Sequence, residues 1–186
     1  QNHICTLLAS EDSRVLLIKD VALPLELDSL WYKRGFHPYE VEPLMVMQVD
    51  PTWKSMEDYL GSMKTKFRTK AQSVMARSAA CIGVPVLFHE WPQWEKHLFD
   101  LYNQVESKAG FKLHNFPLST LRSWMEKSPS ETQLVVYLHK ENIPVGFRFH
   151  WLHRGELHAL FVGMDYRHHR EFCIYPRMLY DYVEDG

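Results

Sequence analysis

Three strand-like segments joined by two tight turns fill the last third of the chain and constrain its fold more than any other feature. Residues 133–139, 145–153 and 156–163 are rich in β-branched and aromatic side chains, which are typical of strands. Turn signals at Glu141-Asn142 and Arg154-Gly155 separate them. Because a two-residue connection returns the chain alongside itself, we predict an antiparallel meander.

The Arg154-Gly155 turn also predicts which side chains share a face of the sheet. A two-residue loop places His153 opposite Glu156 and Trp151 opposite His158. One face then holds Phe147, Phe149, Trp151, His153, Glu156, His158, Leu160 and Val162, and the other holds Arg148, His150, Leu152, Leu157, Ala159 and Phe161. Both sets are largely apolar, so we expect both faces to be covered.

The residues outside the meander predict a mixture of strands and helices. Short apolar runs predict strands over 15–18, 44–49 and 84–88. Apolar spacings of three and four predict helices. These span 55–80 with Ser55 as N-cap, 91–109 with Gly110 at the C-cap, 117–127, and Pro176 to the end. The chain is therefore predicted to be α/β in the broad sense, more narrowly α+β, with a mostly antiparallel sheet flanked by helices.

Composition excludes several classes of function. The net charge is −2, so no overall basic field favours DNA as a partner. No apolar run approaches the roughly 20 residues of a membrane span. The cysteines Cys5, Cys81 and Cys173 are few and far apart, which is typical of a reducing compartment. We expect a cytoplasmic protein.

A basic segment on the predicted long helix is the first candidate site. Its five cations are Lys64, Lys66, Arg68, Lys70 and Arg77, and no acid lies among them. Lys66, Lys70 and Arg77 fall in one row beside the apolar stripe, where like charges repel unless an anion binds between them. The row therefore predicts a phosphate or carboxylate site. A solvated helix flank is the alternative.

A second candidate anion site is the segment Asp165-Tyr166-Arg167-His168-His169-Arg170, which we predict to be a loop leading into the last helix. A helix N-terminus preceded by cations attracts phosphate groups, because free N–H groups and the helix dipole both favour negative charge. A polar surface loop is the alternative.

Several histidines raise the question of a metal. The predicted pairing puts His153, Glu156 and His158 on one face, in the pattern of a two-histidine, one-carboxylate site. Their neighbours Trp151 and Leu160 are apolar, and no HExxH motif is present, so structural histidines are favoured and no metal is predicted. A GxSxG nucleophile motif is also absent.

Two segments carry a resemblance to a known family. Residues 36–79 hold an apolar run, a Trp-containing turn and a helix with the motif Thr65-Lys66-Phe67-Arg68. Residues 143–186 hold two strands, a Gly163-Met164-Asp165 corner and a helix with the pattern Leu179-Tyr180-Asp181. In both segments the chain resembles bacterial acetyltransferase-like proteins of the GNAT superfamily that are related to the Fem peptidyltransferases.

The resemblance implies two partial GNAT-like units, over 1–125 and 126–186, the second lacking its final strand and helix. It implies an N-acyltransferase that moves an acyl or aminoacyl group to an amine on a small molecule or peptide. The donor would be acetyl-CoA, another acyl-CoA or an aminoacyl-tRNA, with no cofactor tightly bound. The Gly-rich pyrophosphate loop of ordinary acetyltransferases is absent, and Arg167 to Arg170 stand in its place.

The site residues expected on this basis fall into three groups. Glu156 and His158 are the candidate proton acceptors. Asp165, Tyr166, Arg167 and Arg170 are the candidates for the donor phosphates, and Lys66, Arg68, Lys70 and Arg77 those for an anionic substrate. A truncated unit would leave a strand edge exposed, which predicts either a further segment of the chain that covers it or a homo-oligomer formed through that edge. A non-catalytic binding module with the same fold is the alternative function.

Overall fold

The computed structural model describes residues 28–38, 45–108, 116–140 and 142–186 of the chain. The chain divides into two compact units, residues 1–46 and 47–186. In the first unit the described part contains a short helix, α1 (Asp28–Lys33). The rings of Trp31 and Phe36 meet edge to face there, with centroids 4.8 Å apart.

The second unit is built from helices and strands in mixed order. Its described helices are α2 (Met56–Ser62), α3 (Thr65–Ser78), α4 (Trp91–Glu106), α5 (Ser119–Lys127), α6 (Tyr166–Phe172) and α7 (Ile174–Asp185), with a 3₁₀ turn over Phe88–Glu90. Its strands are β1 (Cys81–Val86), β2 (Thr132–His139), β3 (Ile143–His153) and β4 (Glu156–Met164). The predicted α+β class is confirmed.

The four strands form one antiparallel sheet in the order β1-β2-β3-β4. Arg154 and Gly155 have φ angles of 52° and 79°; positive φ at both central positions is the type I′ geometry that matches the twist of a hairpin. His153 pairs with Glu156 and Trp151 with His158. The predicted meander and its register at this turn are therefore confirmed.

A β-bulge in β4 changes the register farther along the strand. Phe149 pairs with Phe161 and His150 with Ala159, so Leu160 has no partner on β3. Because of the extra residue, the side chains that follow it on β4 lie on the opposite faces of the sheet from those expected for a regular strand. Phe161 lies on the face of Phe149 and Val162 on that of Arg148, so our prediction of the faces was wrong for these two residues.

Separate apolar clusters cover the two faces of the sheet, as expected. On one face α4 and α5 pack against the strands, and the cluster includes Trp91, Leu98, Leu121, Val136, Phe147 and Phe149. On the other face the cluster includes Val135, Tyr137, Val145, Phe172, Ile174 and Met178, from β2, β3, α6 and α7. The sheet is therefore a central layer with helices on both sides.

The helix predicted over 55–80 is two helices. The Ser55 hydroxyl accepts a hydrogen bond from the Asp58 N–H at 3.3 Å, which confirms the predicted N-cap. The backbone then becomes extended at Met63 and Lys64, with ψ of 147° and 143°. Gly61 and Ser62 are weak helix formers next to this break, so the apolar pattern alone did not maintain a single helix.

Other boundaries also differ from the predictions. Residues 45–50 form no strand; Met45 and Val46 are exposed, so no packing supports the apolar run there. The strand predicted over 84–88 begins at Cys81 and ends at Val86. Residues 15–18 and Gly110 lie outside the described residues.

The segment 165–170 that we predicted to be a loop is mostly helical. Asp165 caps α6, and Cys173, with φ of 50°, separates α6 from α7. The last helix therefore begins at Ile174 rather than near Pro176. In the described part of the chain, no helix has the length and apolar character needed to cross a membrane.

Candidate functional site

Asp165 and Arg167 are bound to each other at the start of α6. Asp165 Oδ1 accepts the Arg167 N–H at 2.9 Å, and the carboxylate also accepts from Arg167 Nη2 at 2.6 Å. Hydrogen bonds from Arg167 hold the pKa of Asp165 below its ordinary value. Two of the residues predicted to bind the donor phosphates therefore also form a helix cap.

Tyr166 lies beside residues from the end of α4. Its N–H donates to Gln104 Oε1 at 3.2 Å, and Lys108 Nζ lies 3.4 Å from the centroid of its ring. Neither Gln104 nor Lys108 was predicted, because nothing in the local sequence links them to a helix about 60 residues later.

His169 lies close enough to Arg170 and Lys108 for their charges to act on its ring. Burial lowers the pKa of His169, and the charges of Arg170 and Lys108 lower it further. Its buried Nδ1 has no hydrogen-bond partner among the described residues. We name the cluster of Lys108, Tyr166, His169 and Arg170 the α6 cationic cluster, and its potential favours an anionic ligand.

The cations of the predicted basic row on α3 do not share one environment in the structure. Arg77 donates through Nε to the Glu171 carbonyl at 3.2 Å and through Nη2 to the Arg170 carbonyl. It therefore satisfies carbonyls at the C-terminal end of α6. Across the described residues, the side chains of Lys66, Arg68 and Lys70 have no hydrogen bond or ion pair. These three cations remain available to an anion.

Glu156 and His158 lie on the edge strand β4. His158 Nε2 is 3.6 Å from Glu156 Oε2, and the two side chains are 39% and 74% exposed. The His158 ring is 5.4 Å from that of Trp151, which stacks on His153 at 4.4 Å. No three histidine, cysteine or carboxylate side chains of the described residues are grouped to hold a metal.

The structure does not bring the predicted proton acceptors next to the α6 cationic cluster. Met164, where β4 ends, lies six positions after His158, a span of roughly 20 Å at the usual rise. The bulge at Leu160 lies between them, two residues from His158. A ligand touching both ends would have to be extended along β4.

A buried polar network that we did not predict lies between β2, β3 and α7. Tyr137 Oη donates to Asp181 Oδ2 at 2.6 Å and accepts from Arg148 Nε at 2.8 Å. Arg148 Nη1 lies 2.5 Å from Asp185 Oδ2 and 3.1 Å from His150 Nδ1. Burial raises the pKa of Tyr137 strongly, so the phenol remains protonated.

The network continues to α3 through Arg177. Arg177 Nε donates to Asp181 Oδ1 at 2.5 Å, and Nη1 to Ser78 Oγ at 3.4 Å. Arg177, Asp181 and Asp185 are four residues apart, so they share one side of α7. That spacing, with Arg148 and His150 alternating on β3, was the sequence signal for the network.

One open groove of about 490 Å³ lies between α4 and the start of α5, with Trp91, Phe99 and Leu118 among its lining residues. None of the predicted site residues lines it.

No protein-family model matches the chain, and no curated protein is significantly similar to it.

Proposed function

We propose that this chain is an N-acyltransferase that moves an acyl or aminoacyl group from a CoA-type or tRNA donor to an amine. The observation that carries the proposal is the bulge at Leu160 on the edge strand β4. The bulge takes one residue out of the ladder with β3, and bulges occur often beside active sites. Leu160 is also 39% exposed, so a ligand can reach it.

The irregular backbone at Leu160, which has no Cα partner on β3, suits the chemistry of acyl transfer. When an amine attacks a thioester or ester carbonyl, negative charge develops on the carbonyl oxygen. A fixed N–H group beside that oxygen stabilises the transition state more than the ground state. We assign this role to the Leu160 N–H.

The α6 cationic cluster would bind the phosphate groups of the donor. Lys108 and Arg170 supply charge, and His169 Nδ1 is a polar atom without a partner among the described residues. A donor extended along β4 from this cluster would bring its reactive carbonyl to Leu160. Lys66, Arg68 and Lys70 on α3 are the second group of cations, which we assign to an anionic part of the acceptor.

Glu156 and His158 are the proposed proton acceptors. The amine nitrogen forms the new C–N bond, the C–S or C–O bond to the donor breaks, and the leaving group departs with the electron pair. His158 takes the proton that the attacking amine loses, with Glu156, 3.6 Å away, stabilising the imidazolium.

Replacing Leu160 tests the backbone assignment. Leu160→Pro removes the N–H at a bulge that has no Cα partner on β3, where proline is tolerated. Leu160→Ala keeps the N–H and is the matched control. With acetyl-CoA and a panel of primary amines, we expect thiol release by Leu160→Pro to fall by about 10²–10³-fold, while Leu160→Ala stays close to the unaltered chain. Equal rates in the two variants would contradict the assignment.

The donor site is tested separately by binding. Acetyl-CoA and CoA should raise the melting temperature of the unaltered chain, because a ligand of the native state stabilises it by mass action. Lys108→Ala and Arg170→Ala should reduce that increase, whereas Lys96→Ala, an exposed lysine on α4, should not. If neither CoA ligand nor an aminoacyl-tRNA binds, the proposed activity is wrong.

A second candidate function is a non-catalytic binding module of the same fold. This alternative is favoured because some predicted site residues form structural contacts: Asp165 binds Arg167, and Arg77 binds carbonyls of α6. A module of this kind would bind CoA or another polyanion without releasing thiol for any amine in the panel.

A further inference from the structure

Arg148 and His150 are adjacent, buried basic groups on one face of β3. They are 4% and 1% exposed, and Arg148 Nη1 lies 3.1 Å from His150 Nδ1. Two positive charges at this distance, away from water, would repel strongly. Burial and Arg148 together outweigh the attraction of the nearby Asp185 carboxylate, so the arrangement favours neutral His150.

The contact also determines the tautomer of His150. A guanidinium group can only donate hydrogen bonds, so Nδ1 must accept from Arg148 and the ring proton must be on Nε2. A second proton can be added only at Nδ1. Protonation therefore cannot occur until the ring and the guanidinium separate.

The groups that face His150 come from three elements. On β3 the charged neighbour is Arg148. On α7 they are Asp185, whose Oδ2 is 3.8 Å from His150 Nδ1, and Tyr182, whose ring centroid is 5.9 Å away. On β2, Tyr137 reaches the cluster through Arg148 Nε. The directly paired residues, Gln133 on β2 and Ala159 on β4, do not titrate.

Asp185 is the link between this cluster and the end of α7. It is the last residue of the helix, and its carboxylate binds Arg148 Nη1 at 2.5 Å. Tyr182, one turn earlier, has a buried Oη with no partner among the described residues, so it adds no hydrogen bond to hold the helix end. Helix ends of this kind open locally at low cost.

We propose that His150 is an acid-sensitive clasp that holds the last turn of α7 against β3. Proton uptake from solvent at Nδ1 separates Arg148 from the ring, breaks the contact with Asp185 and releases that turn. Opening exposes Arg148 and the ring of Tyr182. The clasp does not depend on acyl transfer, since none of its residues belongs to the proposed site.

Hydrogen exchange of α7 amides between pH 7.5 and 5.0, corrected for intrinsic rates, tests the clasp. Protection of residues 182–185 in the unaltered chain should fall below pH 6.5 by up to about tenfold per pH unit, the limit for one proton. His150→Gln should keep its protection over the same range, because the amide oxygen accepts from Arg148 and does not titrate. His89→Gln, at an exposed histidine, should behave like the unaltered chain.

Two results would overturn the clasp. One is an equal loss of protection in His150→Gln and the unaltered chain, or no loss in either. The other comes from nitrogen-15 histidine spectra of the unaltered chain at pH 7.5, which need no variant to fold. They should show the Nε2–H tautomer for His150, and an Nδ1–H or doubly protonated ring contradicts the proposal.

Discussion

Two glycines allow the helices to approach the sheet closely from opposite sides. A Cβ on Gly146 would lie 2.7 Å from side-chain carbons of Ile174 and Met178 on α7. A Cβ on Gly163 would lie 2.2 Å from the Phe147 ring and 2.9 Å from the backbone of Leu101 on α4. At these positions the glycines are needed for packing and not for a special backbone angle.

Gly163→Ala should therefore destabilise the fold. The Phe147 ring is buried and the Leu101 backbone belongs to a helix, so neither can move without disturbing the core. We expect the free energy of unfolding to fall by about 1–3 kcal/mol, as for other overpacked cores, measured by urea denaturation. Gly61→Ala is the control with the opposite sign, because nothing lies within 4 Å of its Cβ and alanine favours a helix by about 0.5–1 kcal/mol.

Two buried tyrosines should respond differently to the loss of a hydroxyl group. Tyr137→Phe leaves Arg148 Nε without its acceptor and removes a donor to Asp181. We expect it to cost about 1–3 kcal/mol of unfolding free energy. The Tyr182 hydroxyl has no partner among the described residues, so Tyr182→Phe should be neutral or stabilising in the same denaturation experiment. Similar losses from both changes would contradict the network.

Single residues were the hardest part of the site to predict. The register of Glu156 and His158 was predictable because a tight turn fixes their pairing within a few residues, while their role as proton acceptors stays a prediction. Lys108, Gln104 and Tyr137 contribute to their clusters through contacts between distant elements, and such contacts leave no local pattern. Leu160 could not be recognised, since one unpaired residue in an apolar strand looks like any other.

At the level of elements, the prediction was most accurate where apolar residues recur at regular spacing over a whole segment. The three strands of the meander and the helices α4, α5 and α7 were found near their true positions. The helix over 55–80 is broken at Met63 and Lys64, next to the weak helix formers Gly61 and Ser62. The strand over 44–49 was wrong in its described part, 45–49, because an apolar run does not say whether a partner surface exists. Segment 165–170 forms a helix because Asp165 caps it and Arg77 satisfies carbonyls at its end, and neither contact is visible from charge alone.

Substitutions at Arg77 and Lys66 on α3 should distinguish a residue with a structural role from one with a binding role. Arg77→Ala removes two hydrogen bonds to the end of α6, and we expect it to lower the unfolding free energy by about 0.5–1.5 kcal/mol. Lys66→Ala should change stability by less than about 0.5 kcal/mol and should weaken binding of the proposed anionic ligand. Unchanged binding in Lys66→Ala would make the row a solvated helix flank.

For the molecule as a whole, the lowered pKa values of two histidines and two aspartates predict a loss of stability in acid: His150, His169, Asp50 and Asp165. The pKa of His150 is held below its ordinary 6.5 by burial and by Arg148, so below pH 6.5 the unfolded chain binds a proton that the folded chain does not. The pKa of Asp165 is held below 3.8 by Arg167, which adds a second loss as the pH falls below that value. In both windows stability rises with pH.

Thermal unfolding between pH 8 and 3 should show these two windows. His150→Gln should reduce the decrease that begins near pH 6.5, to which His169 also contributes. Asp165→Asn should reduce the decrease below pH 4, to which Asp50 also contributes. Exposed histidines such as His89 should not affect the profile. A melting temperature that does not change from pH 8 to pH 5 would contradict the first assignment.

The order of strands in the sheet also has a consequence for how the chain folds. The strands β2, β3 and β4 are joined by short turns, so their pairing requires little loop closure. β1 pairs with β2 only after the chain has passed through α4 and α5, between Val86 and Thr132. Contacts between residues distant in sequence form late in folding, so we expect the hairpins to form the nucleus and β1 to add last. Substitutions in the β3–β4 hairpin should then slow folding, while those at the β1–β2 contact should mainly speed unfolding. We therefore expect β1 to be the last strand to pair during folding and the first to separate during unfolding.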